Sequence, residues 1–177
     1  MKKIYSTTLL SFSLLVLMVG VSGCGYHFVG GGSLPPHIKT IAIPLFANQT
    51  QEQGVEEILT RALINEFITG GKLKLVEASR ADARLTGRIV SYTRTATQFN
   101  ASNQVIQYKL TVGVNMKLED LINQKILWEA QNLTEDEDFN VSPAISPIEL
   151  DDRERRAFEQ ISEDLAARVL ALATEGF

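Results

Sequence analysis

The chain has 177 residues, of which 45% are hydrophobic, and it carries a formal net charge of −4 at pH 7. A chain of this length suits one domain that can bury a core. The acidic balance argues against nucleic acid as a partner, because nucleic-acid phosphates are bound by basic surfaces. The single cysteine excludes an internal disulfide.

The first 23 residues have the order of an export signal. Lys2 and Lys3 precede an almost wholly apolar run over 9–21, and Ser22 and Gly23 come directly before Cys24. This run is shorter than the roughly 20 residues that cross a bilayer as a helix. We therefore predict a lipoprotein signal peptide over 1–23 and one domain in the mature chain.

The stretch Val21-Ser22-Gly23-Cys24 resembles the lipobox of bacterial lipoproteins, in which cleavage makes the cysteine the first residue and lipid is attached to it. Lipidation would also protect a thiol that is otherwise liable to oxidation outside the cell. The alternative is an ordinary secretory signal with an incidental cysteine. The resemblance implies a membrane anchor of acyl chains, such as palmitate, on Cys24. Because Gly25 and not aspartate follows, it also implies the outer membrane.

Glycines and then Pro35-Pro36 follow the cysteine, so we predict a lipidated flexible tether over 24–37 and a single domain over 38–177. Residues 39–46 alternate with Ile41, Ile43 and Leu45 on one side, which predicts a strand. Pro44 should keep that strand at an edge or at its own end. Apolar residues at helical spacing predict a helix from Val55 that ends at Gly70-Gly71, and 72–77 predicts a second strand.

A long strand, or a strand with a bulge, is predicted over 84–99, with Leu85 and Ile89 inward. Another strand is predicted over 106–118, where seven apolar residues alternate with polar ones. A turn at 120–124 leads to a strand at 126–130. Residues 135–147 are predicted to be an irregular acidic loop, and 149–173 a long amphipathic helix. The sum is a two-layer α+β domain, with two helices packed on one face of a four- to five-stranded sheet and the other face open.

The charges separate along the chain, with +4 over residues 72–129 and −8 over residues 130–177. If the apolar residues of each strand point inward, the alternation places a basic set on the open face. A basic face is a candidate site for an anionic ligand. Alternatively, lysine and arginine on exposed strands only block edge pairing. The six candidate residues are Arg84, Arg88, Arg94, Lys109, Lys117 and Lys125.

Residues for catalysis or metal binding are not found at the spacing that such sites need. His27 and His37 both fall in the predicted tether, far from other ligand types. The acidic run Glu135-Asp136-Glu137-Asp138 lacks the spacing and the glycine of a calcium loop. We therefore expect no catalytic residues, no cofactor and no metal.

Several motifs in order resemble the LptE family of lipopolysaccharide-assembly lipoproteins. They are Cys24-Gly25-Tyr26-His27-Phe28, Ile41-Ala42-Ile43-Pro44, the AD-x-x-L-x-G stretch from Ala81 to Gly87, the strand around Tyr108 and Leu127-Trp128. The resemblance implies a mixed sheet and a lipoprotein on the periplasmic face of the outer membrane. It also implies that the chain plugs the LptD β-barrel, assists its assembly and aids insertion of lipopolysaccharide (LPS) into the outer leaflet. The basic residues named above would then be candidate LPS contacts.

The stretch from Ile41 to Asn48 also resembles the opening strand of two other groups of outer-membrane lipoproteins. One group serves curli secretion and the other activates cell-wall synthases. The first alternative would predict rings of the chain with itself, and the second a synthase as the partner.

Overall fold

A computed structural model describes residues 34–175 of the protein. Cys24, the signal peptide and the tether before Leu34 lie outside the described residues. The described part forms the strands β1 Thr40–Ala42, β2 Ala47–Asn48, β3 Lys74–Leu75, β4 Ala83–Phe99, β5 Val105–Asp120 and β6 Lys125–Asn140, and the helices α1 Val55–Gly70 and α2 Pro147–Glu175. A short 3-10 helix lies at Ala78–Arg80.

The strands form one mixed sheet in the order β3-β1-β4-β5-β6, with β2 paired to the side of β4. The short strands pair in parallel: β1 with β3 and β4, and β2 with β4. The long strands β4, β5 and β6 form an antiparallel meander. Both helices pack against one face of this sheet, so the predicted two-layer α+β fold is confirmed.

The two helices bury the apolar stripes that the sequence predicts. In α1, Leu59, Leu63 and Phe67 are almost fully buried, and the helix ends at Gly71, whose φ of 62° is left-handed. In α2, the buried stripe is Phe158, Ile161, Leu165 and Val169. The helical period alone positions these residues, so both predicted helices are confirmed to within two residues at each end.

A capping box starts α2. The Ser146 hydroxyl accepts a hydrogen bond from the Glu149 backbone N–H at 3.3 Å, and the Glu149 carboxylate accepts one from the Ser146 N–H at 3.2 Å. Hydrogen bonds from the Ser146 backbone and hydroxyl lower the pKa of Glu149. The helix therefore begins at Pro147, two residues before its predicted start.

The first strand is shorter than its alternation predicts. Ile41 and Ile43 are buried as expected, but β1 ends at Ala42, two residues before Pro44. Beyond that point the two-residue period no longer applies, so Leu45 is 62% exposed and Phe46 is buried instead. The inward placement of Leu45 was therefore wrong.

The predicted acidic loop over 135–147 was wrong up to Asn140, because β6 continues to that residue and pairs with β5, whereas residues 141–146 are irregular as predicted. Its acidic side chains have basic partners on both faces. Glu135 lies 3.4 Å from Arg168 of α2, whereas Asp136 lies 2.5 Å from Lys109 on the other face. Cross-strand and cross-layer pairs of this kind keep an acidic segment extended, and charge on an edge strand discourages pairing with other chains.

Phe46 packs directly on the backbone of β4 at Gly87. A Cβ atom at Gly87 would lie 2.3 Å from the ring carbon Cε2 of Phe46 and 2.7 Å from the backbone oxygen of Asn115. The glycine at the end of the AD-x-x-L-x-G stretch is therefore required by a close approach and not by a turn. It fixes the segment after β1 against the centre of the sheet.

Candidate functional site

The candidate site is the face of β4, β5 and β6 that the helices leave uncovered. Its residues are half-buried or exposed, and they are almost all polar. Their order follows from the antiparallel register, since directly paired residues share a face. They include Arg84, Thr86, Arg88, Thr93 and Thr95 on β4, Lys109, Thr111, Asn115, Lys117 and Glu119 on β5, and Glu129, Thr134, Asp136 and Asp138 on β6.

Two of the predicted basic residues share one carboxylate on this face. Glu119 accepts a hydrogen bond from Arg84 Nη2 at 3.1 Å and contacts Lys117 Nζ at 2.8 Å. The hydrogen bond from Lys117 is the main cause that lowers the pKa of Glu119, and Arg84 adds to it. Two cations against one anion leave this cluster with one net positive charge. Their predicted position on the open face is confirmed.

Arg88 is the most available cation on this face. Its side chain is exposed, and within residues 34–175 it has no hydrogen bond and no ion pair. It borders a shallow depression of about 300 Å³ that is also lined by Gln49, Thr86, Lys117 and Glu129. An anion in this depression would meet a free guanidinium and an ammonium group together.

Lys109 lies on the open face as predicted, but acidic residues surround it. Its ammonium group is 2.5 Å from Asp136 and 3.8 Å from Asp138. The hydrogen bond and charge of Asp136, with the charge of Asp138, raise the pKa of Lys109. One cation between two anions gives this part of the face a net negative charge.

The predicted position of Arg94 was wrong. The register shifts between the pairs Ile89–Val114 and Ser91–Gly113, so Val90 is a bulge and the alternation of β4 reverses after it. Arg94 consequently points to the helix side, where its guanidinium hydrogen-bonds Glu154 of α2. It also lies 5.2 Å from the centre of the Tyr108 ring.

The predicted position of Lys125 was wrong as well, again because of a register shift. The register shifts between the pairs Leu118–Trp128 and Glu119–Ile126, so β6 has an extra residue at Leu127. Lys125 therefore pairs with Asp120, on the opposite face from Glu119. It is exposed at the end of the sheet and does not belong to the open face.

Two arrangements were missed from the sequence. The first is Tyr92, whose ring centre lies 5.7 Å from that of Phe158, beside a cavity of about 430 Å³ between the amino ends of the helices. Burial, helped by the charge of Glu154, raises the pKa of the Tyr92 hydroxyl. No sequence signal marks the Val90 bulge that turns Tyr92 inward.

The second is a polar cluster at the start of the described chain. His37 Nε2 lies 2.8 Å from Asp120 Oδ2 and 3.1 Å from Asn123 Nδ2. Burial would raise the pKa of Asp120, but hydrogen bonds from Asn123, His37 and Ile122 outweigh it and lower the pKa to about 2. The last residue of the predicted tether is thus held against the β5–β6 turn. The sequence carries no local signal for this contact, because His37 and Asp120 are 83 positions apart.

Within residues 34–175, histidine, cysteine and carboxylate side chains do not gather in any group of three that could hold a metal ion. Neither helix in that range is long and apolar enough to cross a membrane.

The sequence model of one family, LptE, described as lipopolysaccharide-assembly, matches residues 38–171. No curated protein matches the chain. Among solved structures, a PelC dodecamer from Paraburkholderia phytofirmans has a TM-score of 0.51 and 16% identity, covering 82% of this chain and 95% of that one. The rare lipoprotein B from Shewanella oneidensis has a TM-score of 0.49 and 14% identity, covering 73% and 90%. The likeness to PelC concerns the fold alone.

The fold and the site define a small two-layer α+β domain that presents one polar, uncovered sheet face. The chain belongs to the LptE family of lipopolysaccharide-assembly proteins, because the family model covers its core from residue 38 to residue 171. Members of this family are non-enzymatic outer-membrane lipoproteins.

Proposed function

We propose that lipid on Cys24 anchors this protein to the periplasmic face of the outer membrane, where it binds and plugs the LptD β-barrel. In that position it aids assembly of the barrel and insertion of LPS into the outer leaflet. The observation that carries the proposal is the family match over residues 38–171. Cys24 follows the sequence of a lipobox, although it lies outside the described residues.

The physical properties of the open face support a role as a plug. The lumen of a large outer-membrane barrel is polar, so a domain that fills it needs polar surfaces and no large apolar patch. The uncovered face carries mainly threonine and charged side chains. A lipid tether would also raise the local concentration of the domain beside its partner barrel.

LPS carries phosphate groups, and the depression at Arg88 and Lys117 is the part of the open face best suited to them. Arg84 stands beside this pair and shares Glu119 with Lys117. Lys109 is neutralised by two aspartates, and Arg94 is committed to Glu154 on the other side. We therefore propose Arg88 and Lys117 as the centre of LPS contact.

The barrel partner is tested by affinity purification of the tagged full-length protein from detergent-solubilised outer membrane, followed by mass spectrometry. Recovery of a large LptD-type barrel together with an acylated Cys24 peptide is expected. Recovery of a cell-wall synthase, or of rings of the chain with itself and no barrel, would support the alternatives and overturn the plug. An unmodified Cys24 would overturn the anchor.

LPS contact is tested on the purified protein by a binding titration with LPS. The double variant Arg88→Gln, Lys117→Gln is expected to bind at least about tenfold more weakly, since each charge-assisted hydrogen bond contributes about 1.5–3 kcal/mol. The matched control is Arg94→Gln, which removes one arginine from the same strand on the other face. Equal losses in the two proteins would refute a site on the open face.

A further inference from the structure

One end of the sheet combines exposed apolar side chains with basic ones. This end, which we call the His37 end, is where β1, β3 and β4 begin and where the β5–β6 turn lies. Ile122 in the turn and Ile126 just after it are each 56% exposed. Leucine or isoleucine is often exposed singly, but here two isoleucines four positions apart are exposed at the same end of the sheet.

The outward charge of the His37 end is positive. Four basic residues lie there, namely Lys39, Lys74, Arg80 and Lys125. Among the acidic residues that the structure describes at this end, Asp82 and Asp120 use their carboxylates internally and Glu119 is paired with Arg84 and Lys117, so Glu77 is the exposed one. Asp82 accepts hydrogen bonds from the backbone N–H groups of Lys39 and Thr40, both at 2.9 Å.

The opposite end of the domain has the opposite charge. There the acidic residues outnumber the basic ones. Asp136, Glu137 and Asp138 of β6 and Glu149, Asp151, Asp152 and Glu154 of α2 lie with Arg94, Lys109, Arg153, Arg155 and Arg156. An anionic surface would therefore attract the His37 end and repel the other. This orientation follows from the domain's own charges and does not depend on any partner protein.

The chain also reaches the domain at the His37 end. His37 is fixed to Asp120 and Asn123 beside the turn, and Leu34 is ten residues after Cys24. Ten residues span at most about 35 Å when fully extended. An acyl chain on Cys24 would therefore keep the bilayer surface within reach of this end.

We propose that the His37 end lies on the surface of the lipid bilayer, with Ile122 and Ile126 in the headgroup region and the four basic side chains beside anionic lipid. Apolar tips flanked by lysine and arginine are suited to this interface. The proposal takes its anchor from the proposed function, but it does not require the barrel. The opposite end, with Phe99 and Ile148, is left free to meet a protein partner.

The test uses the full acylated protein reconstituted into vesicles of phosphatidylethanolamine with about a quarter of phosphatidylglycerol. Ile122→Cys and Ile126→Cys each introduce one free thiol, because Cys24 is the only other cysteine. An environment-sensitive dye on this thiol is expected to shift its emission to the blue and to be quenched by headgroup-labelled lipid. The matched control is Ile148→Cys, which is 75% exposed at the opposite end and should show neither effect.

A second variant tests the charges. Lys39→Gln, Arg80→Gln and Lys125→Gln combined should lower the docked fraction, by up to about fivefold per removed charge, and added salt should do the same to the unaltered protein. These residues are exposed, so the substitutions leave the core unchanged.

Docking at the vesicle surface and acylation are read out separately, the latter from the mass of the labelled protein. A blue shift at 122 and 126 in the acylated protein supports the surface, whereas a mass that shows no acyl chain on Cys24 would overturn only the anchor. No shift in acylated protein, an equal shift at 148, or a shift that appears only after a purified barrel is added would overturn the membrane surface. The outcomes without added barrel do not depend on whether the barrel is the functional partner.

Discussion

Substitution of Gly87 by alanine tests the close packing of Phe46 on β4. The added methyl group would lie 2.3 and 2.9 Å from two carbons of the Phe46 ring and 2.7 Å from the Asn115 backbone oxygen. Carbon atoms pack best at about 3.5–4.0 Å, so the buried ring would have to move by more than about 1 Å. A flexible side chain could move away, but Phe46 is 2% exposed and the carbonyl belongs to the paired strand.

Overpacking of this kind costs about 1–3 kcal/mol, and alanine recovers about 0.5–1 kcal/mol in a strand relative to glycine. We expect Gly87→Ala to lower the free energy of unfolding by about 1–2 kcal/mol, which corresponds to about 2–8 °C in Tm. The assay is urea unfolding of the mature chain followed by circular dichroism. The control is Gly70→Ala, whose methyl group would meet only the flexible end of Leu170 and should cost less than about 0.5 kcal/mol.

A double-mutant cycle with Phe46→Leu identifies the cause. Removing the ring edge should reduce the cost of Gly87→Ala by about 1 kcal/mol, while the contact with the Asn115 oxygen remains. An unchanged unfolding midpoint for Gly87→Ala, or an equal cost in both backgrounds, would show that the ring does not press on this glycine.

Three further predictions concern charged and titratable groups. Because the pKa of Asp120 is about 2 in the folded protein and higher when unfolded, its stabilising contribution is present above pH 4 and lost as the pH falls towards 2. Urea midpoints across this range should fall more steeply in the natural protein than in Asp120→Asn. The pKa of Tyr92 is raised by burial, so its contribution is lost as the pH rises above 10, and absorbance titration should leave one tyrosine un-ionised until the domain unfolds. Arg94→Gln should lower the free energy of unfolding by about 0.5–1 kcal/mol, because it removes the ion pair with Glu154 and the contact with the Tyr108 ring. Arg88 has no partner in the described range, so Arg88→Gln should change the free energy of unfolding by less than about 0.5 kcal/mol in either direction.

Part of the candidate site was predictable from the sequence, and the limits are visible at particular residues. Arg84, Arg88, Lys109 and Lys117 lie on the open face because an unbroken two-residue period connects them to buried neighbours. Arg94 and Lys125 lie elsewhere because one extra residue at Val90 and another at Leu127 reverse the alternation. A bulge of one residue has no reliable composition, so it becomes visible only when the paired strand is known.

The sequence also did not show which basic side chains are paired with acidic ones. The acidic run of β6 resembles a loop when it is considered alone, because its pairing with Lys109 and Arg168 connects residues 27 or more positions apart. The same is true of His37 and Asp120, which are 83 positions apart. These contacts decide which basic groups on the open face remain available to an anion.

The sequence by itself determined the two helices, the long strands β4 and β5 and the two-layer arrangement. Helical and strand periods are local properties, and burying an apolar stripe or face leaves few ways to pack the layers. Only the tertiary structure decided the strand order, the full length of β6, the register shifts at Val90 and Leu127, and the free state of Arg88. Each of those depends on which distant segments meet, and backbone hydrogen bonding and charge pairing fix that choice only after the chain has folded.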